Sequence, residues 1–250
     1  MLYFRNLWAL FMVLLIFTLW WIVTVAVLVN PLFVPPPQLV GAKLVELIIT
    51  GDILPDITAT ILRTVLGFFA GVSIGIPLGI LMGYYKRVYS ALEFVVDFFR
   101  SIPVTALFPL FLLFFGIGDE AKIAAAAFAT SLIILVNTMY GVRHGSKTRI
   151  MIAQTMNYMG LQLFRKIIFP ESFPYIFAGL RIAVSISLIV VIVTEMFIGT
   201  TVGLGHRIIN AQLVYRTSEM YAAIILAGIV GYVTNKGVLY IEKRKVHWSG

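Results

Sequence analysis

Residues Arg143–Pro174 read RHGSKTRIMIAQTMNYMGLQLFRKIIFPESFP and form the longest polar interruption in an otherwise lipid-like chain. Basic side chains crowd both ends of this segment against a single acid, Glu171. Residues 151–164, between the two basic clusters, contain no proline, and apolar side chains recur there at helical spacing. The spacing predicts a helix of about fourteen residues that docks on a partner, and a plain loop with some helix is the alternative. The basic residues are Arg143, His144, Lys147, Arg149, Arg165 and Lys166.

The composition identifies an integral membrane protein. Of the 250 residues, 60% are hydrophobic and only 12% are charged, which is far more apolar than a soluble domain. We expect one helical membrane domain over residues 1–250, with a first span within 1–29 and a core within 57–245. The chain has no cysteine, which excludes disulfides, thiolate metal sites and cysteine nucleophiles. Basic cytoplasmic loops explain the net charge of +8, so no nucleic-acid partner is expected.

Six apolar runs are long enough to predict membrane spans, each needing about 20 residues. The first is interpreted as a retained anchor, because the apolar core of a signal peptide is only about 7–15 residues long. Prolines interrupt the chain after it, and the short amphipathic helix expected at 38–50 would lie in the membrane interface. In the third run, residues 90–100 are expected to lie near the inner surface, and residues 102–115 are expected to enter the membrane as a kinked helix. The predicted spans are 8–29, 57–84, 90–115, 121–141, 175–198 and 221–240.

The distribution of basic residues predicts the orientation. Six spans place both termini on one side, and assigning that side to the cytoplasm puts most Lys and Arg residues inside. Arg143–Pro174 is then the largest cytoplasmic loop, whereas 116–119 and 199–218 are outer connections. We therefore expect a multi-pass protein of the inner or plasma membrane, embedded in lipid, with cytoplasmic termini. The basic residues left outside, or close to the outer edge, are Lys43, Arg63, Lys122, Arg207 and Arg216.

Five glycines in the second span recur at intervals of four residues. This spacing places them on one slowly drifting face of a helix and predicts that another helix backbone packs closely there. Isolated flexible glycines are the alternative, and they do not explain so regular a spacing. Pro77 within the same span is expected to bend it. The glycines assigned to helix packing are Gly67, Gly71, Gly75, Gly79 and Gly83.

No residue pattern for catalysis or metal binding is recognisable in the sequence. Residues 141–148 resemble a phosphate-binding loop only superficially, because Ser146 stands at the position of the glycine before the lysine and no strand precedes it. His144, His206 and His247 are too scattered to predict a metal cluster. The chain is therefore expected to bind no cofactor or metal and not to be an enzyme by itself.

Two polar residues of the fifth span are candidates for a translocation pathway. Ser185 lies midway along the span and Glu195 lies near its outer end. A lone carboxyl in a span can carry protons, line a gate or pack against its neighbours. The position of Glu195 near the membrane edge favours a gate-lining or packing role.

Several stretches together resemble the permease subunits of binding-protein-dependent ABC importers, closest to the nitrate, sulfonate, taurine and bicarbonate type. The family motif reads Glu-Ala-Ala, three residues, Gly, nine residues and an apolar stretch ending in Leu-Pro. Anchored on Pro170, it falls on Met151-Ile152-Ala153 with Asn157 at the glycine position. The resemblance covers about residues 30–245. Further matching stretches are Arg63-Thr-Val-Leu-Gly67-Phe, Gly75-Ile-Pro77-Leu-Gly79, Ile102-Pro103, Phe115-Gly-Ile-Gly118, Ala178-Gly179-Leu180-Arg181, Thr194-Glu195-Met196 and Gly203-Leu-Gly205.

The motif departs from the family pattern at three positions. Its Glu is Met151, its first Ala is Ile152 and its Gly is Asn157. Asn accepts left-handed backbone geometry better than most residues, so a turn at 157 is expected to survive. Loss of the Glu removes a charge near the helix or a contact with a partner. The residues assigned to ATPase coupling are Met151, Ile152, Ala153, Asn157, Gly160 and Pro170.

The resemblance implies the all-α fold of a type I importer permease, with a short coupling helix over 151–164 seated in a groove of a cytoplasmic ABC ATPase dimer. ATP and Mg would be bound by that ATPase. A second permease copy, expected to be identical, would complete a pathway with alternating access. A periplasmic or lipid-anchored solute-binding protein would dock on the outer loops and select the substrate. The family suggests a small anion such as nitrate, sulfonate, taurine or bicarbonate, or a vitamin precursor.

Two rival functions stay open from the sequence. One is a self-sufficient ion-coupled carrier or channel, in which Glu195, Arg181 and Asp97 would be the working charges. The absence of an internal repeat and of several membrane-embedded acids disfavours it. The other is a non-transporting scaffold subunit, which the altered motif favours.

Overall fold

The computed structural model describes residues 2–245, and all regular elements in this range are helical. His247, one of the three scattered histidines, lies outside the described residues. The helices are α1 (Leu2–Val25), α2 (Pro37–Thr50), α3 (Leu54–Tyr84), α4 (Lys86–Ser101), a 3₁₀ turn (Val104–Leu107), α5 (Phe108–Phe115), α6 (Asp119–Arg143), α7 (Lys147–Thr155), α8 (Gly160–Leu163), a π-helical turn (Phe164–Ile168), α9 (Phe169–Phe197), α10 (Leu204–Leu213) and α11 (Thr217–Lys245).

Four helical segments among the described residues are long and apolar enough to cross a membrane: α3, α6, the continuous segment Gly160–Phe197, and α11. The third predicted span is a bent pair, in which α4 and the segment Val104–Phe115 meet at 92°. Its two arms match the predicted division into 90–100 and 102–115, and Pro103 stands at the bend. The first predicted span corresponds to α1, whose apolar part Leu10–Val25 is shorter than the others. The fold is therefore that of an all-helical, multi-pass membrane protein.

Several predicted boundaries need correction. The first helix ends at Val25 rather than Val29, because the chain turns at Val27, where φ is 51°. The predicted outer loop 199–218 contains α10, which the sequence analysis did not identify. The short helix expected at 38–50 is confirmed as α2, which begins at Pro37 and is closed by Gly51 with φ 78°.

The core is formed by α3, α6 and α9. The structure places all five regularly spaced glycines of α3 against α6. A Cβ atom added at Gly67 would lie 2.6 Å from the Ala126 Cβ, and one added at Gly79 would lie 2.6 Å from the Thr138 Cβ. The two backbones thus approach too closely for any side chain on this ridge, as in other small-residue helix contacts. The helix α3 continues through Pro77 to Tyr84, where the second span was predicted to end.

The predicted helix over 151–164 is wrong, because the chain breaks in its middle. Helix α7 ends at Thr155, and α8 starts the long segment that continues into α9. Asn157 has φ 62° and Gly160 has φ 52°, so two left-handed residues mark the break between the helices. The left-handed turn expected at Asn157 is confirmed. The predicted loop 143–174 is therefore mostly helical, and the fifth span begins well before Tyr175.

Pro170 lies in the first turn of α9, directly after the π-helical turn. Proline has no N–H to donate, and its ring would collide with the carbonyl four residues earlier in a regular α-helix. The N–H of Phe169 instead donates to the carbonyl of Phe164, five residues back. The wider turn therefore allows one helix to pass through Pro170 without a break.

Candidate functional site

The first candidate site is the break between α7 and α8, in the segment predicted to be cytoplasmic; we call it the cytoplasmic elbow and define it as residues 147–163. Its inner side is apolar: Ala153 and Leu163 pack with Val142 and Ile168 in a small buried cluster. Ala153 has only 3% of its surface exposed. Ala153 was assigned to the docking surface from the motif, but it points inward and anchors α7 to the helices behind it.

The cytoplasmic elbow also carries large apolar side chains that are more than half exposed. Met156, in the turn, has 65% of its surface exposed. Of the residues assigned to coupling, Met151 and Ile152 are exposed in this way, Asn157 and Gly160 shape the turn, and Pro170 lies apart in α9. We call the exposed apolar side chains of the elbow the elbow patch: Met151, Ile152, Met156, Met159 and Leu161.

Basic residues lie on both sides of the elbow patch in the sequence. Arg149 and Arg165 are exposed, and the Lys166 ammonium lies 4.6 Å from the centre of the Tyr158 ring. An apolar centre inside a charged rim is the common anatomy of protein interfaces. The arrangement therefore suits a protein partner with an apolar groove and acidic edges.

A carboxylate from α9 holds the start of the elbow. The Ser146 N–H donates to the Glu171 Oε2 at 2.7 Å, and the Arg149 Nη1 forms an ion pair with the Glu171 Oε1 at 3.1 Å. Sequence analysis recorded Glu171 only as the lone acid of the segment. Its role was missed because its partners lie on the other side of the turn.

The second candidate site is a buried polar network at the helix ends that the charge distribution predicts to face outward. Its centre is Glu195 of α9, whose side chain has no exposed surface. Its Oε1 accepts hydrogen bonds from the Arg63 Nη1 at 2.6 Å and from the Thr60 Oγ1 at 2.9 Å. Its Oε2 accepts one from the Gly205 N–H at 3.0 Å. We call this set the outer polar network: Asp56, Thr60, Arg63, Asp119, Glu195, Arg207 and Glu219.

Asp56 forms the second half of the outer polar network. Its Oδ1 accepts from the Gly203 N–H at 2.8 Å, and its Oδ2 pairs with the Arg207 Nε at 2.5 Å. Arg207 also pairs with Glu219 at 2.9 Å. Burial by itself lowers the pKa of Arg207, but the hydrogen bonds and charges of Asp56 and Glu219 outweigh burial and raise that pKa above its ordinary value. Arg207 therefore stays charged and ties α10 to α3 and α11.

Arg63 extends the network to the loop before α10. Its guanidinium donates to the Asp119 Oδ1 at 2.8 Å and to the Val202 carbonyl at 2.8 Å. Lys122, also buried, donates to the Gly118 carbonyl at 2.8 Å. Together with the bond from the Lys122 Nζ to the Gly199 carbonyl at 3.5 Å, the Arg63–Val202 bond ties the segment 199–205 to α3 and α6. Glu195, with no exposed side-chain surface, is hydrogen-bonded through both carboxylate oxygens within this network.

The third candidate site is a cleft of about 540 Å³ between α9 and α11. Ser185, the other pathway candidate, lines it together with Asn235 and Lys236, whereas Glu195 does not. The Asn235 Nδ2 lies 3.4 Å from the Ser185 Oγ, and the Asn235 Oδ1 is buried without a hydrogen-bond partner among the described residues. Gly228 lies on the α11 side of the cleft. The site offers one cation, Lys236, and three side chains with neutral polar groups, Ser185, Tyr232 and Asn235, on an otherwise apolar wall.

The charges that a self-sufficient carrier would use do not converge. Asp97 forms an exposed pair with Arg100 on α4 at 3.3 Å. The Arg181 Nη1 lies 3.9 Å from the Glu242 Oε2 of α11. Within residues 2–245, no group of three or more His, Cys, Asp and Glu residues is placed to hold a metal ion.

Comparisons with known proteins agree with this architecture. The family described as "Binding-protein-dependent transport system inner membrane component" matches residues 75–245. The chain is 30% identical over 238 residues to the taurine transport system permease protein of Escherichia coli, covering 93% of this chain and 86% of that protein. It is 28% identical over 233 residues to a putative aliphatic sulfonates transport permease protein of Bacillus subtilis, covering 93% and 84%.

Two further similarities cover a smaller share of this chain. A putative ABC transporter permease of Methanocaldococcus jannaschii is 32% identical over 164 residues, which are 66% of this chain and 61% of that protein. Among solved structures, the inward-facing MetNI methionine ABC transporter superposes with a TM-score of 0.68. It covers 77% of this chain and 95% of the matched chain at 20% sequence identity. At that identity the likeness establishes the fold alone.

Proposed function

The chain belongs to the binding-protein-dependent transport system inner membrane components and is a permease subunit of an ABC importer, and we propose that a separate cytoplasmic ATPase drives it through the cytoplasmic elbow. The elbow patch carries this proposal. Five large apolar side chains are exposed just before and at the start of the long segment Gly160–Phe197. Exposed apolar patches rimmed by polar groups mark sites of protein interaction.

The elbow can transmit motion because it continues directly into a membrane-spanning helix. The apolar cluster around Ala153 fixes α7 to the helices behind it. A partner that grips the elbow patch therefore acts on α9 through a short, well-packed connection. ATP and Mg would be bound by the partner, and hydrolysis there would switch the spans between inward-open and outward-open states.

The remaining partners of the proposed complex follow from the family. We place a second, identical copy of the chain beside the first, so that the pathway runs between two permeases. We place a solute-binding protein on the outer surface, where α10 and the outer polar network present a rigid platform. Both termini would lie in the cytoplasm.

The transported substrate is proposed to be a small organic or inorganic anion. The relatives from E. coli and B. subtilis are described as permeases for taurine and aliphatic sulfonates, both of which carry a sulfonate anion. The cleft between α9 and α11 supports an anion pathway, because Lys236 and Ser185 supply a positive charge and a hydroxyl on an apolar wall. Nitrate, bicarbonate and a vitamin precursor are alternatives that the family resemblance suggests.

Purification from native membranes in mild detergent tests the ATPase proposal. The wild-type chain is expected to bring an ABC ATPase with it, and Met156→Asp is expected to lose it, because the substitution puts a charge in the centre of the elbow patch. The control is Leu213→Asp, which changes a side chain of similar exposure, 69%, at the end of α10 on the outer side. Both variants should yield folded protein by size-exclusion chromatography.

The outcomes also separate the rival functions. Absence of an ATPase from the wild-type preparation would contradict the proposal and favour a self-sufficient carrier or channel. An ATPase that binds while the reconstituted complex transports nothing would favour a scaffold subunit. Equal ATPase recovery from Met156→Asp and the wild type would show that the elbow patch is not the contact.

A further inference from the structure

The helices α6, α7 and α9 meet at one point on the cytoplasmic side. Helix α6 ends at Arg143 and α7 begins at Lys147, so only three residues connect them. At this junction the Glu171 carboxylate lies against the backbone of Gly145, because a Cβ atom added there would lie 3.1 Å from the Glu171 Oε2. One helical turn earlier, a Cβ added at Gly141 would lie 2.8 Å from the Tyr175 Cβ. The start of the elbow is thus packed directly on the first turns of α9.

Glu171 is the polar link across this contact. Its Oε2 accepts a hydrogen bond from the Ser146 N–H at 2.7 Å, and its Oε1 lies 3.1 Å from the Arg149 Nη1. Only 11% of its side chain is exposed, so the first of these bonds is largely shielded from water. One carboxylate of α9 therefore engages both the backbone before α7 and a side chain within it.

The beginning of α7 has little polar support of its own. It has no acidic residue in its first turn, and the Ser146 hydroxyl lies 3.4 Å from the Arg149 N–H that it caps. The N-terminus of a helix carries a partial positive charge that a carboxylate stabilises. Glu171 supplies this negative charge from another helix, so that the placement of α7 depends on α9.

We propose that Glu171 is a positioning residue that fastens the cytoplasmic elbow to the base of α9, so that displacement of the elbow is passed to the membrane-spanning helix. This inference rests on the proposed function, since it specifies how the ATPase contact is linked to the spans. The apolar cluster around Ala153 holds the middle of α7, and the Glu171 carboxylate holds its start. Without the carboxylate, the elbow still presents its patch, but α7 can tilt on the apolar cluster without moving α9.

The test uses the complex of the chain with its ATPase and solute-binding protein, reconstituted in proteoliposomes. Glu171→Ala is expected to keep the ATPase bound and to raise the number of ATP molecules hydrolysed per substrate transported by about fivefold, the lower range of coupling between sites. Glu171→Gln is expected to lie between Ala and wild type, because its amide oxygen still accepts from the Ser146 N–H while the ion pair with Arg149 is lost. The control Asp97→Asn removes a carboxylate from an exposed pair on α4 and should leave the ratio unchanged.

A second experiment restores the link covalently. Because the sequence contains no cysteine, the double variant Ser146→Cys, Glu171→Cys introduces the only two thiols. A short bis-methanethiosulfonate cross-linker, which forms a disulfide with each thiol and releases methanesulfinate, is expected to restore the wild-type ATP-to-substrate ratio. Reduction of these disulfides should raise the ratio again. A merely structural role would lower hydrolysis and transport together and leave their ratio unchanged.

The outcomes distinguish the two proposals. If the wild-type complex couples hydrolysis to transport and Glu171→Ala has the same ratio, the positioning role is overturned and the proposed function stands. The same conclusion follows if the cross-link leaves the ratio of the double variant unchanged. If no ATPase associates with the wild-type chain, both proposals are overturned.

Discussion

Replacing Glu195 by alanine is expected to destabilise the protein by about 3–5 kcal/mol, because it leaves the buried Arg63 guanidinium without its closest carboxylate. The wild-type carboxylate has no exposed surface and accepts from three donors at 2.6–3.0 Å: the Arg63 Nη1, the Thr60 Oγ1 and the Gly205 N–H. Each donor loses a hydrogen bond to a charged group, worth roughly 1.5–3 kcal/mol. The Asp119 carboxylate still pairs with Arg63, so the sum of the three bonds overstates the loss.

Glu195→Gln provides a graded version of the same perturbation. Its amide oxygen can accept from Arg63 and Thr60, but its amide nitrogen then faces the Gly205 N–H, and two donors cannot bond each other. The expected loss is about 1–3 kcal/mol, the penalty for one unsatisfied buried group. The control is Glu46→Ala on α2, which removes an exposed pair with Lys43 and should change stability by no more than about 1 kcal/mol.

The assay is thermal unfolding of the purified protein in detergent, followed by tryptophan fluorescence. For a chain of this length, 1 kcal/mol shifts the unfolding midpoint by about 2–4 °C, so Glu195→Ala should lower it by roughly 6–20 °C. The unfolding midpoint should fall in the order wild type, Glu195→Gln, Glu195→Ala if the network stabilises the protein as described. A midpoint for Glu195→Ala within about 2 °C of wild type would refute the reasoning, because loss of one surface ion pair would give a shift of that size.

The structure makes three further predictions. Gly79→Ala should destabilise the protein by about 1–3 kcal/mol, because its Cβ would meet the Leu135 carbonyl and the Thr138 side chain. The control Gly237→Ala adds a Cβ with no atom within 4 Å and should leave the unfolding midpoint unchanged or raise it. Equal midpoints for the two variants would contradict close packing of α3 on α6. Ala153→Asp should abolish the yield of folded protein measured by size-exclusion chromatography, because it buries an unpaired charge in the apolar cluster. Met156→Asp should leave that yield unchanged. Similar yields for the two variants would contradict the inward orientation of Ala153. Lys236→Gln should raise the KM for anion uptake about tenfold, the effect of roughly 1.4 kcal/mol of lost binding, with ATPase recovery unchanged, and an unaltered KM would exclude the cleft from the pathway.

The spans and the close packing on α3 were accessible from the sequence because both depend on local patterns. The glycines of α3 recur every four residues, and this spacing alone specifies one helix face. The short helix α2 was recognised for the same reason, since its apolar stripe and the prolines before it are contiguous in the chain.

The elbow was predicted only in part because helix spacing and turn chemistry conflict there. The apolar residues of 151–164 fit a helical period, but Asn157 and Gly160 both adopt left-handed backbone conformations that end α7 and start a new helix. The left-handed propensity of Asn157 was visible in the sequence. The hydrophobic period outweighed it, so a single continuous helix was predicted.

The outer polar network was not predicted because its partners are far apart in the chain. Thr60 and Glu195 are 135 positions apart, and Asp56 and Arg207 are 151 positions apart. The sequence showed only that charged residues cluster at the outer ends of several spans. Which of them pair is decided by the packing of α3, α9 and α10, and no local pattern encodes it. Glu171 and Ser146 were missed for the same reason across the elbow.

Cross-linking from the elbow patch tests the central claim most directly. Because the sequence contains no cysteine, a single cysteine at position 156 can carry a thiol-linked photo-cross-linker in native membranes, with position 213 as the control on the outer side. The account predicts an adduct with an ABC ATPase from position 156 and none from position 213. Adducts with lipid alone at position 156, from membranes in which the ATPase is present, would contradict it.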